Sequence, residues 1–204
     1  MTEPTSDWGR GAWMQTFTGR QFFPLDPRAE DVDPTDIAHA LSLICRYGGH
    51  TARFYSVAEH CVLMSYAVSP ENALAALLHD ATEAYVGDMV RPLKHQIPAY
   101  QEIEARVWDV ITLHFGLRAA DAESVRLPAE VKAADNRILL DERAVLLSAA
   151  PGAWGVDGLQ PLGVRIRGWS PEVAEVAYAD RLDELLRDGK PLVWLFNEGR
   201  GSRG

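Results

Sequence analysis

An all-α helical bundle with a small β addition is the fold class this chain predicts, on three observations. Apolar residues recur at helical spacing over most of the 204 residues. Three helix starts share one signature, a capping side chain before a proline at the first helical position: Asp33-Pro34, Ser69-Pro70 and Ser170-Pro171. One stretch, Trp13 to Leu25, instead gathers aromatic and β-branched residues around Gly19, as a short hairpin does.

In chain order, residues 1–12 are polar and read as a flexible tail. The hairpin follows, then a loop through LDPRAEDVDP. Helices are expected near 34–46, 56–68, 70–86, 98–115, 128–149 and 171–188. Ser56, with Glu59 three residues on, has the form of a capping box. Gly87 and Gly116 stand where helices should stop. The segment from Pro151 to Trp169 breaks the helical pattern and reads as a loop with a short β piece. PLVWLF, from Pro191 to Phe196, is either a final strand or a segment docked on the core, and 199–204 should fray. No repeat or low-complexity tract divides the chain. The length suits one domain, taken as 13–198 with its core at about 34–150.

The chain is 47% hydrophobic and 24% charged, ordinary for a globular protein, with a formal net charge of -9. That acidity disfavours a nucleic-acid polymer or an anionic membrane as partner, because both select for a basic face. It leaves room for a small anionic ligand held by a few local cations. Cys45 and Cys61 sit in apolar helical patterns and read as buried thiols of a reducing compartment, with a disulfide as the alternative. No apolar run reaches the roughly 18 residues of a membrane helix, and MTEPTSDWGRG has no signal-peptide character. A cytoplasmic location is expected.

Against this background the stretch ALLHDATEAYVGD, Ala76 to Asp88, stands out. On a helical wheel Leu74, Leu77, Leu78, Ala81 and Tyr85 form a core face, while His79, Asp80 and Glu83 share one arc of about 100° on the other side. This is either the solvated face of an amphipathic helix or a functional surface. The arc is bordered by Ala73, Ala76 and Ala84, and no Lys or Arg lies between Pro70 and Val90, which suits a face that another helix approaches closely. His60 lies on the apolar stripe Val57, Cys61, Met64, Ala67 and Val68, either as a satisfied core histidine or as a ligand. Asp135 lies in the middle of the stripe Val131, Ala134, Ile138, Leu139, Glu142 and Leu146. A buried aspartate must be hydrogen-bonded, paired or metal-bound. If these groups converge, His60, His79, Asp80 and Asp135 offer two imidazole nitrogens and two carboxylates. That set suits one divalent transition metal such as Mn, Co, Fe, Ni or Zn, whose bound water is a nucleophile at neutral pH.

The ordered set H…HD…D, with HD-x-x-E and a trailing Gly-Asp, resembles the signature of the HD-domain phosphohydrolases. SVAEH around His60, HDATEAYVGD with PLK after it, AYQEIE at Ala99, and NRILLDERAVL after Asp135 resemble the bacterial 5′-deoxynucleotidases of the YfbR type and related phage deoxynucleotide phosphohydrolases. The resemblance covers roughly Asp36 to Leu147. It implies an HD-domain bundle with His60, His79, Asp80 and Asp135 as metal ligands, Glu83 orienting or deprotonating the attacking water, and Asp88 serving the leaving oxygen or a proton relay. Arg46 in CRYGG matches the family's Arg-Trp pair and would grip phosphate, with Lys94 as a second phosphate contact. Tyr47 stands where the family has a tryptophan linked to sugar recognition, so it is a substrate-binding candidate and a departure from the pattern.

The expected activity is release of phosphate from deoxynucleoside 5′-monophosphates, with release of triphosphate from deoxynucleoside triphosphates as the alternative. The expected partner is a small-molecule nucleotide, and a homo-oligomer is expected. A bimetallic HD enzyme would need further histidine ligands between the HD pair and Asp135, where only His95 and His114 occur. An inactive nucleotide-binding sensor is the reading from another class. TGRQFF, outside the resemblance, would be a base-side wall, a subunit contact or a hairpin covering the core.

Overall fold

The structure is a computed structural model describing residues 9–118 and 124–189. It is helical, with one two-stranded sheet. The strands are β1 (Met14–Gln15) and β2 (Gln21–Phe22), antiparallel with Met14 opposite Phe22. The helices are α1 (Pro34–Leu43), α2 (Val57–Ala67), α3 (Ala73–Leu78), α4 (Glu83–Val86), α5 (Arg91–Lys94), α6 (Pro98–His114), α7 (Ala129–Leu146) and α8 (Pro171–Gly189). Among the described residues no helix is long and apolar enough to cross a membrane.

α2 is the hub. Eight of its residues, Val57 to Val62 with Met64 and Ser65, are buried, which is more than one face. A helix apolar nearly all round must be packed all round, and α1, α3, α7 and α8 surround it. Its start is as expected: Ser56 Oγ accepts the Glu59 N–H at 3.0 Å, a cap worth about 0.5–2 kcal/mol. The reciprocal half of the capping box does not form. The Glu59 side chain is fully buried and turns instead to the loop before α8. Its carboxylate accepts the main-chain N–H groups of Arg167, Gly168 and Trp169 at 2.7, 3.0 and 2.6 Å. The segment 151–169 therefore carries no strand, unlike the short β piece its sequence suggested. A side chain, in place of a β partner, satisfies its backbone. Gly168 is required there: it has φ +68°, and a Cβ would lie 2.9 Å from Arg53 Nε.

Of the other starts and stops, Asp33, Gly87 and Gly116 act as expected and others depart. Asp33 caps α1 through the Thr35 N–H at 2.9 Å. Ser69 caps nothing; its hydroxyl donates to Glu130 of α7 at 2.6 Å, and Pro70–Asn72 is a 3-10 turn leading into α3. α1 stops at Leu43, so Arg46 lies outside it, unlike the expected helix 34–46, and opens a 3-10 turn, Arg46–Gly49; Cys45 bridges to Ser56, and the Arg46 N–H reaches Tyr55 O at 3.0 Å. Both cysteines are free thiols, Cys61 buried and Cys45 only half-buried. The helix expected over 70–86 is interrupted at 79–82. Gly87, with φ 81°, stops α4, and Gly116, with φ 64°, follows α6.

The hairpin covers the core. Phe22 is fully buried and stacks on Tyr85 with ring centroids 3.8 Å apart, while the Thr18 N–H donates to Asp36 of α1 at 2.7 Å. Within the stretch read as a tail, Arg10 pairs with Asp26 at 3.0 Å and with Asp31. The apolar run 191–196 and the tail 199–204 lie outside the described residues.

Glu59 gives a test of this scaffold. Glu59→Gln keeps the shape but turns an N–H donor toward donors, so it should lower stability by about 1–3 kcal/mol, the cost of unsatisfied buried groups. The urea midpoint measures this. An unchanged midpoint would mean that the loop before α8 does not need the carboxylate.

Candidate metal centre

The centre is set by packing of three helices. Met64 of α2, Ala75 and Ala76 of α3, and Val131, Ala134 and Ile138 of α7 form one buried cluster. The small residues let the backbones approach, as the alanine-bordered arc suggested. That docking carries Asp135 and Glu142, seven residues apart on α7, to His60 of α2.

His60 is fully buried. Its Nδ1 lies 2.7 Å from Glu142 Oε1, so Nδ1 carries the donated proton and Nε2 keeps its lone pair. His79 Nδ1 lies 2.8 Å from Ala76 O and donates in the same way. The two Nε2 atoms are 3.2 Å apart. Asp80 Oδ2 is 3.2 Å from His79 Nε2 and 3.7 Å from His60 Nε2, and Asp135 Oδ1 is 4.0 and 3.6 Å from the same atoms. Two lone pairs and two carboxylate oxygens facing one another repel unless a cation or a proton stands among them. His60, His79 and Asp135 thus form a group that can hold a metal ion, and their donor types fit one. Cys61, His79 and Asp80 are a second such grouping. The Cys61 thiol, however, lies 3.8 Å from the Nδ1 of His79, the nitrogen already engaged with Ala76, and burial pushes its pKa up.

The break in the helix serves this geometry. From Leu78 to Thr82 the chain tightens to i→i+3 bonds, such as Ala81 N–H to Leu78 O at 2.9 Å and Glu83 N–H to Asp80 O at 3.0 Å. In 3-10 winding, side chains three apart eclipse one another, which places Glu83 over Asp80. Glu83 is buried and its Oε2 has no hydrogen-bond partner. Burial raises its pKa well above the usual carboxylate range, and the charges of Asp80 and Asp88 add to that. Asp88 is raised as well, first by burial.

The carboxylates of Asp80 and Asp135 behave oppositely. Burial opposes their charge, but His79 and His60 beside Asp80, and the same histidines beside Asp135, hold both pKa values well below normal. Glu142 is lowered to about 2 because Arg46 and His60 outweigh its burial. Burial disfavours the His79 imidazolium, yet Asp80 raises the His79 pKa well above its ordinary value. The centre demands positive charge.

Arg46 supplies some of it, with Nη1 3.1 Å from Asp80 and Nε 3.4 Å from Glu142. It bonds these groups and not the carbonyls of a helix end. Tyr47 follows with φ 59°, in the left-handed region, which costs a non-glycine residue about 1–2 kcal/mol. Its hydroxyl donates to Glu142 Oε2.

Beside the centre lies a cavity of about 480 Å³. Arg46, Asp80, Glu83, Asp88, Arg91, Lys94 and Asp135 give it a polar end, and Tyr47, Met89, Val90, Leu139 and Trp154 an apolar one. A second cavity, about 460 Å³, shares Asp80, Arg91 and Lys94 and adds His95, Arg126 and Lys132. All nine sequence-derived site residues therefore lie at the centre or along these cavities. Lys94 is also paired with Glu104 at 2.5 Å. The TGRQFF hairpin lines neither cavity. His114 Nδ1 donates to Ala29 O, 2.9 Å away at the far end of α6, and His95 lines only the second cavity, so neither completes a second cluster among the described residues.

Three residues at the site were not singled out from sequence. Glu142 could have been, since it follows Asp135 by seven residues on the same apolar stripe. Arg91, whose Nη2 is 3.1 Å from Asp135 Oδ2, breaks no local pattern. Trp154 carried no signal, because its position depends on how the loop after α7 folds back.

No family model matches the chain. It is 41% identical over 132 residues to the Escherichia coli (strain K12) protein named "Uncharacterized protein YfdR", a match covering 65% of this chain and 71% of that protein. It is 38% identical over 141 residues to an uncharacterized protein of Rhodobacter capsulatus, covering 58% of this chain and 72% of the relative. At that identity and coverage, the chain belongs to the same family as YfdR of Escherichia coli.

Proposed function

We propose that this chain is a metal-dependent nucleotide phosphohydrolase that releases phosphate from deoxynucleoside 5′-monophosphates. The observation that carries this reading is the convergence of the His60 and His79 Nε2 atoms with Asp80 and Asp135, at the polar end of a cavity that also holds cations and two carboxyl groups of raised pKa. The likeness of H…HD…D to the HD-domain phosphohydrolases supports it. His60, His79, Asp80 and Asp135 would hold one divalent ion, with Mn, Co, Fe, Ni and Zn all compatible with two imidazoles and two carboxylates. When bound, such an ion polarises a phosphoryl oxygen and lowers the pKa of water.

The protein groups do the rest. Arg46 and Arg91, each already beside a ligand carboxylate, present guanidinium N–H groups to a phosphate at the polar end. Lys94, which also lines the cavity, adds charge. These cations offset the charge that develops on the equatorial oxygens as the ester bond breaks. Glu83 is suited to proton transfer. Burial raises its pKa, and its unpartnered Oε2 leaves an atom to orient a water and take its proton. Asp88, raised in the same direction, can return a proton to the leaving 5′ oxygen.

A second reading is hydrolysis of deoxynucleoside triphosphates with release of triphosphate. The cationic second cavity favours it, because Arg91, Lys94, Arg126 and Lys132 could follow a longer phosphate chain away from Asp80. A panel of deoxy- and ribonucleoside mono-, di- and triphosphates, with phosphate and triphosphate release both measured, tests the two readings. No turnover of any member with Mn or Co present would remove both and leave a nucleotide-binding sensor.

Three expectations follow from the assigned roles. Chelation should abolish turnover and Mn or Co should restore it, and His79→Ala should lose metal and activity together; full turnover by metal-free protein would refute the ligand set. For Asp135→Asn, metal retained after dialysis should reflect an affinity at least about tenfold weaker, the scale seen even for losses one shell further out. An Asp135→Asn protein that holds its metal but melts earlier would show a purely structural hydrogen-bonding role. Glu83→Ala should keep its metal and its nucleotide affinity while kcat drops by about 10²-fold or more. Unchanged kcat in that variant would leave the mechanism without its base.

A further inference from the structure

The apolar end of the first cavity carries an aromatic surface that the phosphate chemistry does not use. Trp154 is on the loop after α7, in a segment with no expected role. It lines the cavity and is 41% exposed, a large apolar area to leave at a site mouth. The ring is held in place. The Trp154 main-chain N–H donates to Asp157 Oδ2 at 2.7 Å, and Arg143 Nη1 donates to Asp157 Oδ1 at 2.7 Å. The Arg143 guanidinium carbon sits 4.7 Å from the indole centroid, so a cation covers one face. Asp157 thus holds the Trp154 backbone and Arg143 together, Arg143 covers the indole, and the residue still lines the cavity. Tyr47, whose hydroxyl is tied to Glu142, stands 6.1 Å away with its ring tilted by 47°.

We infer that Trp154 is the stacking wall for the aromatic base of the substrate, and so a specificity-determining residue for base-bearing over base-free phosphate esters. The inference rests on the phosphohydrolase reading for the placement of the phosphate at the metal end. The cavity, about 480 Å³, falls within the range of about 300–1,000 Å³ common for small-ligand sites, room for a nucleoside as well as its phosphate. Of the other residues of this end, Met89, Val90, Pro92 and Leu139 have no side-chain groups that could read a base edge, and the Tyr47 hydroxyl is already engaged with Glu142. Recognition is therefore by the π face, which every base has. Purines should bind more tightly than pyrimidines through their larger ring area, with little discrimination between adenine and guanine. The restraint matters for the same reason: an indole already covered by Arg143, on a backbone held by Asp157, loses little freedom when a base stacks on it.

The test is calorimetric binding to Mn-loaded protein of two non-hydrolysable phosphonates, that of deoxyadenosine 5′-monophosphate and that of base-free deoxyribose 5-phosphate. Trp154→Ala should weaken the deoxyadenosine analogue by about tenfold or more and the base-free analogue by less than about twofold, and Trp154→Phe should retain most of the affinity. Equal weakening of both analogues, weakening of neither, or a wild-type protein that binds the two equally well would overturn the inference. Wild-type turnover of deoxyadenosine 5′-monophosphate, measured alongside, separates the two claims. Selective binding without turnover removes the hydrolase and leaves the stacking wall, while turnover without selective binding removes the wall alone.

Discussion

Two imidazole Nε2 atoms 3.2 Å apart, with carboxylate oxygens on either side, are an arrangement no chain adopts without constraint. Without a cation or a proton between them their lone pairs repel, and the burial of His60 takes away the water that would screen them. Much of the surrounding structure holds this geometry. Glu142 and the Ala76 carbonyl each accept a hydrogen bond from an Nδ1–H and so fix both tautomers. Glu142 is in turn held by Arg46 and the Tyr47 hydroxyl. Such outer contacts orient ligands as firmly as the ligands themselves grip an ion.

Holding the centre costs stability in two visible places. Tyr47 takes a left-handed backbone conformation that glycine would adopt freely. The chain from Leu78 to Thr82 gives up α-helical hydrogen bonds for tighter ones of poorer geometry. Both distortions lie within a residue of a group at the site. The aliphatic packing of α2 against α1, α3, α7 and α8 offsets them, with Val57, Cys61, Met64, Leu77 and Leu78 all fully buried. The raised pKa of Glu83 has the same origin, since a carboxyl group kept from water without a partner is costly to ionise.

The polar residues on apolar stripes were the legible part of the site. His60 and Asp135 each broke a buried pattern, and a buried polar group needs a partner. Glu142 broke the same stripe as Asp135 and was equally open to notice. Glu59 looked like half of a capping box, and nothing local could show that its carboxylate would leave its own helix for the N–H groups of Arg167, Gly168 and Trp169. Helix extents erred where side-chain function overrode propensity, at Arg46, which the loop carries to Asp80, and at His79, where the helix tightens.

By itself the sequence determined the all-α class, the hairpin around Gly19, the positions of α1, α2, α6, α7 and α8, and the set of groups able to bind a metal. Those follow from short-range causes: helical periodicity, caps, and the penalty for burying a charge unpaired. Only the tertiary structure decided that the α7 carboxylates meet the α2 histidine, that Arg46 and Arg91 sit beside ligand carboxylates, and that Trp154 faces the cavity. Each of these depends on the docking angle of distant segments and on the path of a loop. Both are settled by the packing of Met64, Ala76, Ala134 and Ile138, and by the backbone bonds of Glu59 and Asp157, over separations that a local pattern cannot encode.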